Sequence, residues 1–205
     1  MSTNSTAKQS ISFSDPPLIQ AMFSRTSWAW VWLAARLYLG YAWFTSGFGK
    51  IDNPAWMQTG TALQGFWERA VMVPDGPTQP AIAFDWYRTF IQFLLDGGHY
   101  TWFAPLVSIG ELLVGVALIL GAFTGIAAFF GGFMNWNFMM AGAASTNPLL
   151  FTISILLILA WKNAGWFGFD RFLLPLLGTP WRPGRLFSME KERERSDPES
   201  ITGEA

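Results

Sequence analysis

WFAPLVSIGELLVGVALILGA, residues 102–122, is the stretch that decides the fold. It has about the 20 apolar residues that an α-helix needs to cross the hydrocarbon of a bilayer. One carboxylate, Glu111, lies near its middle, where an uncompensated charge costs at least about 2.5 kcal/mol. Arg36 carries the opposite charge inside a second apolar run, residues 28–48. We therefore predict that Arg36 and Glu111 form an ion pair between two membrane helices.

The composition is typical of a membrane protein. Of the 205 residues, 51% are hydrophobic and 13% are charged, whereas soluble domains have about 25% charged residues. The net charge of −1 indicates no nucleic-acid surface. The chain has no cysteine and one histidine, which excludes iron–sulfur ligation, covalent haem and bis-histidine haem, and no metal is expected. A redox centre would have to be a diffusible cofactor or belong to a partner subunit.

The apolar runs predict an all-α fold, an integral membrane four-helix bundle. A tight turn at 121–125 makes the second and third spans an antiparallel hairpin, and Asn147 with Pro148 is predicted to cap the fourth. Two segments with helical periodicity, 55–70 and 81–95, are predicted to lie at the membrane surface. The four predicted spans are 28–48, 102–121, 124–143 and 148–164, followed by an interfacial segment at 165–178.

The distribution of basic residues predicts the orientation in the cell membrane. Seven of them lie at the C-terminal end, from Lys162 onward, whereas the 49–101 loop has three against five acidic residues. Because cytoplasmic segments carry the excess of Lys and Arg, both termini are expected in the cytoplasm. We divide the chain into a flexible cytoplasmic tail (1–24), a membrane domain (25–180) with an outer insertion (50–101), and a charged cytoplasmic tail (181–205). The 28–48 run is too long for a cleaved signal peptide and is expected to be retained.

Glu111 and Arg36 are the first candidate site residues. Their pair either fixes helix register or shapes a polar pocket that binds a ligand head group or relays a proton. Gly40 and Gly115 lie near the same helix faces, where they either allow close packing or make room for a flat ring. Asn135, predicted to face inward, is either a contact between helices or a ligand contact.

Two further positions lie near the predicted membrane edges. Lys50, at the outer end of the first span, either extends its amine to the interface or binds a substrate anion. Asp170 and Arg171, at the cytoplasmic edge, form either a local pair or a fastening between helices.

An ordered set of short motifs resembles the DoxX/DoxD family of four-helix membrane proteins. The resemblance covers residues 28–178, and FMNWNFMMAGAASTNP (133–148) with the long insertion is most similar to the DoxD side of that family. The motifs are Arg36-x3-Gly40, Gly47-x2-Lys50, Glu111-x3-Gly115, Gly121-x2-Thr124 and Gly165-x2-Gly168-x-Asp170.

The resemblance implies the membrane subunit of a thiosulfate:quinone oxidoreductase. Such a subunit takes part in oxidising thiosulfate to tetrathionate outside the membrane and passes the electrons to a membrane quinone, working with a second, DoxA-type chain. We expect Glu111 and Arg36 to be catalytic, Asn135 with the two glycines named above to complete a quinone site, and Lys50 to bind the substrate. The alternative is a non-catalytic membrane anchor or assembly subunit of a redox complex. A proton-coupled carrier and a homo-oligomer remain open.

Overall fold

A computed structural model describes residues 16–179, 182–186, 188 and 189. This part of the chain is mostly helical, as predicted, with one two-stranded antiparallel ribbon near its end. The elements are α1 (Pro17–Ser24), a 3-10 turn (Thr26–Trp28), α2 (Ala29–Ile51), α3 (Pro54–Met57), α4 (Thr61–Val71), α5 (Asp85–Asp96), α6 (Tyr100–Leu120), α7 (Thr124–Met140), α8 (Asn147–Leu159), α9 (Trp161–Ala164), α10 (Asp170–Leu177), β1 (Gly178–Thr179) and β2 (Arg182–Pro183).

The bundle consists of α2, α6, α7 and α8, and its most extensive contact is between the antiparallel helices α2 and α6. Small residues fix how these two helices are offset along their axes. Gly47 lies against the backbone of Leu112, and Gly115 lies against the backbone of Phe44. Because a Cβ at either glycine would collide with that backbone, the two helix axes approach closely and hold one register.

The bundle has polar side chains inside and apolar side chains outside. Its buried polar residues, each at most 3% exposed, are Arg36, Ser108, Glu111, Thr124, Asn135, Ser154, Asn163 and Asp170. All four bundle helices expose large apolar side chains, among them Trp30, Tyr41 and Phe48 on α2, Leu106 and Leu113 on α6, Phe130 and Phe133 on α7, and Leu149 and Leu159 on α8. The interior also holds an apolar cluster that includes Leu39, Leu118 and Leu157. What differs from a soluble protein is therefore the large apolar exterior.

The insertion between α2 and α6 packs over one end of the bundle. Both predicted segments are helical, but 55–70 forms two helices, α3 and α4, with a break after Met57, and 81–95 forms α5 from Asp85 onward. Helices α4 and α5 are amphipathic: α4 buries Leu63 and Trp67, and α5 buries Tyr87, Ile91 and Leu94, in a second apolar cluster with residues of α6 and α7. The helices α3–α5 of the insertion, which we call the cap, are therefore part of the packed structure.

Three local predictions are corrected. Residues 17–24 of the predicted flexible tail form α1, and Met22 accepts a hydrogen bond from the indole of Trp32 at 2.8 Å; residues 1–15 lie outside the described part. The side-chain amide of Asn147 donates to Ala143 (2.7 Å) and does not cap α8. The fourth apolar run is two helices, because α8 ends at Leu159 and α9 follows. Most of the predicted 181–205 tail lies outside the described residues.

One helix in the described part of the chain, Tyr100–Leu120, is by length and apolar composition able to cross a membrane. It contains residues 102–120 of the stretch with which the sequence analysis began. The helix Asn147–Leu159 is apolar but shorter.

Candidate functional site: a buried Lys–Glu pair beside an aromatic cavity

The predicted pairing of Arg36 with Glu111 is wrong. The register that sets Gly47 against Leu112 and Gly40 against Ile119 places Glu111 near the last turn of α2 and leaves Arg36 beyond the end of α6. The two charges are therefore about 12 residues apart along the bundle, or about 18 Å at 1.5 Å per residue. The sequence analysis estimated the depth of each charge from the ends of its apolar run. That estimate missed the offset between α2 and α6, because contacts between glycines and backbone set this offset.

Glu111 pairs instead with Lys50, the last but one residue of α2. The Lys50 ammonium also donates to the Ser46 hydroxyl (3.0 Å) and lies 4.8 Å from the ring centroid of Trp56. Glu111 is 1% exposed and the Lys50 side chain is 18% exposed. Lys50 thus connects the buried carboxylate of Glu111 to the end of the bundle that the insertion covers. Its ammonium compensates the charge of Glu111, the role that the sequence analysis predicted for Arg36.

Several buried polar atoms around Glu111 have no hydrogen-bond partner among the described residues. They include the second carboxylate oxygen of Glu111, both amide atoms of Asn135 and the indole nitrogen of Trp43. Met134 touches Gly110 across the α6–α7 interface, which sets Asn135 level with Glu111. Burying unsatisfied polar groups is costly. These atoms are therefore available for a bound water or a ligand.

An aromatic cavity of about 340 Å³ lies between the cap and the α6–α7 hairpin. Phe103 and Val107 line it on α6, and Glu111 comes one turn further on the same helix face, because residues four apart are stacked. On α6 the lining of the cavity thus ends at Val107, one helical turn before Glu111. Its lining residues are Leu63, Phe66, Trp67, Trp86, Tyr87, Phe90, Ile91, Leu94, Phe103, Val107, Phe133, Met134, Trp136, Asn137, Phe138 and Ala141.

Tyr87 supplies the cavity with a hydroxyl. This group donates to the backbone oxygen of Asn137 (3.1 Å) and lies 3.2 Å from its side-chain oxygen, while the Asn137 amide donates to Phe133 (2.8 Å). Burial raises the pKa of Tyr87 to about 12, because the phenolate would lose its hydration. Tyr87 therefore stays protonated and ties the cap to α7. Periodicity alone gave no signal for this role.

Arg36 belongs to a second polar site at the opposite end of the bundle. Its guanidinium donates to the backbone oxygens of Ala164 and Phe167, each at 3.2 Å. Gly121, with φ +66°, and Gly168 pack against it, and neither has room for a Cβ. Arg36 thus joins α2 to the segment after α9 and to the turn after α6.

Asp170 completes this second site, which joins α7 to the segment after α9. Its carboxylate accepts the backbone N–H groups of Phe123 (2.6 Å) and Thr124 (2.8 Å), at the start of α7. Its own N–H donates to Gly121 (2.8 Å). An N-terminal carboxylate satisfies free helix N–H groups and favours the helix dipole. Of the two roles left open for Asp170, the structure supports a fastening between helices.

The remaining predicted site residues lie apart from the cavity. Gly40 packs against Leu118 and Ile119, and Gly115 against Phe44, so both positions are filled by neighbouring helices. Lys50, Glu111 and Asn135 are grouped together, whereas Arg36 is not with them. Sequence reasoning missed the contacts of Trp56 with Lys50 and of Tyr87 with Asn137. The available signal for the second contact was the amphipathic pattern of α5 together with a polar residue, Asn137, in α7. No cluster of potential metal ligands occurs among the described residues.

An apolar exterior around buried charges, with a helix long enough to span a bilayer, is typical of an α-helical membrane protein. The chain belongs to the DoxX family: the sequence model of that family, described as DoxX, matches residues 31–146. No curated protein and no solved structure gives a significant match.

Proposed function

We propose that this DoxX protein is the quinone-reactive membrane subunit of a thiosulfate dehydrogenase-type oxidoreductase. The observation that carries the proposal is the aromatic cavity, whose lining on α6 ends one helical turn before Glu111, a buried residue with one unpaired carboxylate oxygen. A cavity of several hundred Å³ with apolar walls and a few polar groups is typical of sites for small organic cofactors.

The proposed arrangement in the membrane has four spans. α2 has 23 residues, α6 has 21 and α7 has 17, and α8 with α9 covers 147–164. The exposed apolar side chains on all four helices support contact with lipid. With the C-terminal basic residues in the cytoplasm, the Lys50–Glu111 pair and the cap of α3–α5 lie toward the outer side.

The described residues fit a quinone in two respects. Phe103, Phe133 and Trp136 offer aromatic walls for a flat ring. Glu111 follows the lining residue Val107 by one helical turn, and Asn135 follows the lining residue Met134 directly; both carry buried polar atoms without a partner among the described residues. A quinone, when bound, accepts two electrons and two protons. The Glu111 carboxylate is suited to hold a proton next to a quinone oxygen, and Lys50 stabilises its charged form after the proton has left. Arg36 has no part in this site.

The electron donor is the second part of the proposal. Two thiosulfates form one sulfur–sulfur bond, giving tetrathionate and two electrons. Lys50 is already neutralised by Glu111, and Arg88 by Asp85, so Arg69, exposed on α4, is the better outer cation for a dianion. A second, DoxA-type subunit would supply the remainder of the donor site.

The test is thiosulfate-dependent reduction of decylubiquinone by the purified protein, alone and with its co-expressed partner chain. We expect Glu111→Gln to lower the rate by about 100-fold, the usual loss when a proton-transfer group is removed. Glu68→Gln is the matched control, because Glu68 is exposed and bonds only Gln64 among the described residues. Lipid extraction from the purified protein should also yield quinone. Absence of thiosulfate-dependent reduction under both conditions would refute the proposal.

A non-catalytic anchor or assembly subunit is the second candidate, and one observation favours it. Arg36, Gly121, Gly168 and Asp170, all motif residues, are engaged in fastening the bundle. If Lys50–Glu111 is likewise a register device, replacing both residues by apolar ones of similar volume should leave the function of the complex intact. Co-purification of a soluble oxidoreductase with this double variant would support the anchor.

A further inference from the structure

A second cavity lies at the opposite end of the bundle from the aromatic one. Its volume is about 310 Å³, and it shares no lining residue with the first cavity. It is lined by the start of α7, the end of α8, the first residue of α9, and α10 with β1. The lining residues are Phe123, Thr124, Gly125, Ile126, Ile158, Trp161, Asp170, Leu173, Leu174, Leu177, Gly178 and Thr179.

Two hydroxyl groups in this wall have no hydrogen-bond partner among the described residues. They belong to Thr124, which is fully buried, and to Thr179. Each hydroxyl can donate one hydrogen bond. Because buried hydroxyls are ordinarily satisfied, two unsatisfied ones in one apolar cavity indicate a missing acceptor.

The charge of the wall restricts what that acceptor is. Asp170 lines the cavity, and its carboxylate is held by the N–H groups of Phe123 and Thr124. An anionic head group would be repelled by this carboxylate at short range. The other lining side chains are apolar and suit a hydrocarbon chain.

We propose that this cavity binds a neutral lipid whose head carries a carbonyl, with Thr124 and Thr179 donating hydrogen bonds to the carbonyl oxygen and the leucines of α10 contacting the chain. Two sources share this chemistry, an acyl ester of a neutral glycerolipid and a ring carbonyl of a quinone. The proposal does not depend on the redox activity suggested above, since the aromatic cavity and Glu111 lie at the other end of the bundle.

The experiment is photolabelling of the full-length protein in phosphatidylcholine vesicles. One arm uses a diacylglycerol with a diazirine in its acyl chain, and the other a diazirine analogue of decylubiquinone. We expect one of these probes to label residues 171–179. Thr124→Val should reduce this labelling by about five-fold, the effect of one hydrogen bond. Thr152→Val is the matched control, because Thr152 is exposed and already bonds the Pro148 oxygen (2.8 Å); it should change nothing.

A competition on the unaltered protein keeps the proposal testable if Thr124→Val does not fold. Unlabelled diacylglycerol or decylubiquinone should compete at least about five-fold better than a dialkylglycerol, whose ether oxygens replace the carbonyls and are weaker acceptors. Equal competition by the ether lipid would overturn the proposal and indicate contact with bulk lipid only. Competition by a fatty acid anion as strong as that by the neutral lipid would also overturn it, as would labelling that both Thr124→Val and Thr179→Val leave unchanged.

Discussion

Removing the ammonium of Lys50 should destabilise the protein more than any other single change at the Lys50–Glu111 pair. Lys50→Met leaves the carboxylate of Glu111, 1% exposed, without its counter-charge and with neither oxygen bonded by a described residue. Breaking a buried ion pair by removing one partner costs about 3–5 kcal/mol. Because Lys50 keeps 18% exposure, we expect about 3 kcal/mol.

The reverse change should cost less. Glu111→Gln removes the charge from the buried position and leaves Lys50 with Ser46, the Trp56 ring and partial hydration. The loss of one hydrogen bond between charged groups is about 1.5–3 kcal/mol, and we expect the lower end. The double variant should recover about 2 kcal/mol relative to the sum of the single changes.

A double-mutant cycle measured by reversible unfolding in mixed detergent and SDS micelles tests this reasoning. Arg36 is the matched control for Lys50, since both are cations on α2 but 14 residues apart, about 21 Å along the helix. Arg36→Met and Glu111→Gln should be additive within about 0.5 kcal/mol, as distant sites are. Coupling of Glu111 to Arg36 rather than to Lys50 would refute the α2–α6 register on which the site rests.

Three further predictions concern other contacts. Gly121→Ala should lower the free energy of unfolding by more than about 2 kcal/mol, since φ is +66° and a Cβ would collide with Arg36. Gly49→Ala is the control: a Cβ there meets open space, so this change should be neutral or stabilising by about 0.5 kcal/mol. Thermal unfolding of the two variants tests the difference. Asp170→Asn should cost about 1–2 kcal/mol through the lost cap of α7, and an unchanged melting temperature would contradict this role. Burial raises the pKa of Tyr87 from 10.0 to about 12, so the stability that Tyr87 contributes is present below pH 10 and is lost as the pH rises toward 12. The difference in tyrosinate absorbance between the unaltered protein and Tyr87→Phe reports the titration of this one side chain. Its midpoint should lie near pH 12, and a midpoint near 10 would contradict the buried hydrogen bond.

Most of the helical architecture followed from the sequence because it depends on local patterns. The apolar run at 102–122 appears as α6, the glycine turn at 121–125 joins it to α7, and the periodicity of 81–95 appears as α5. Hydrophobic period and helix-ending glycines are signals within a few residues. The break between α8 and α9 had no such signal, since no proline or glycine lies between Pro148 and Gly165.

The site was only partly predictable, because it depends on contacts between distant segments. Glu111 was found as a carboxylate out of place, but two cations on α2 were available as partners. The choice depends on how far the helices are offset, and that offset is set by Gly47 and Gly115 meeting backbone. The lengths of the apolar runs carry no information on the offset between the two helices. The aromatic cavity likewise requires that the insertion folds over α6 and α7, which no local pattern specifies.

The family motifs divide into two groups once the register is known. Gly47-x2-Lys50 and Glu111-x3-Gly115 meet at the capped end, where glycines bring the helices together and the two charges pair. Arg36, Gly121 and Asp170 meet at the other end and hold α7 to the C-terminal segment. In the second group the charged side chains bond backbone, which is a structural task, although Asp170 also lines the second cavity. In the first group a carboxylate oxygen and an amide remain unsatisfied next to a cavity. Structural networks gain by satisfying every member, but in the second group the guanidinium Nε of Arg36 and the hydroxyl of Thr124 are also without a partner among the described residues. Ligand chemistry is therefore expected at both ends of the bundle.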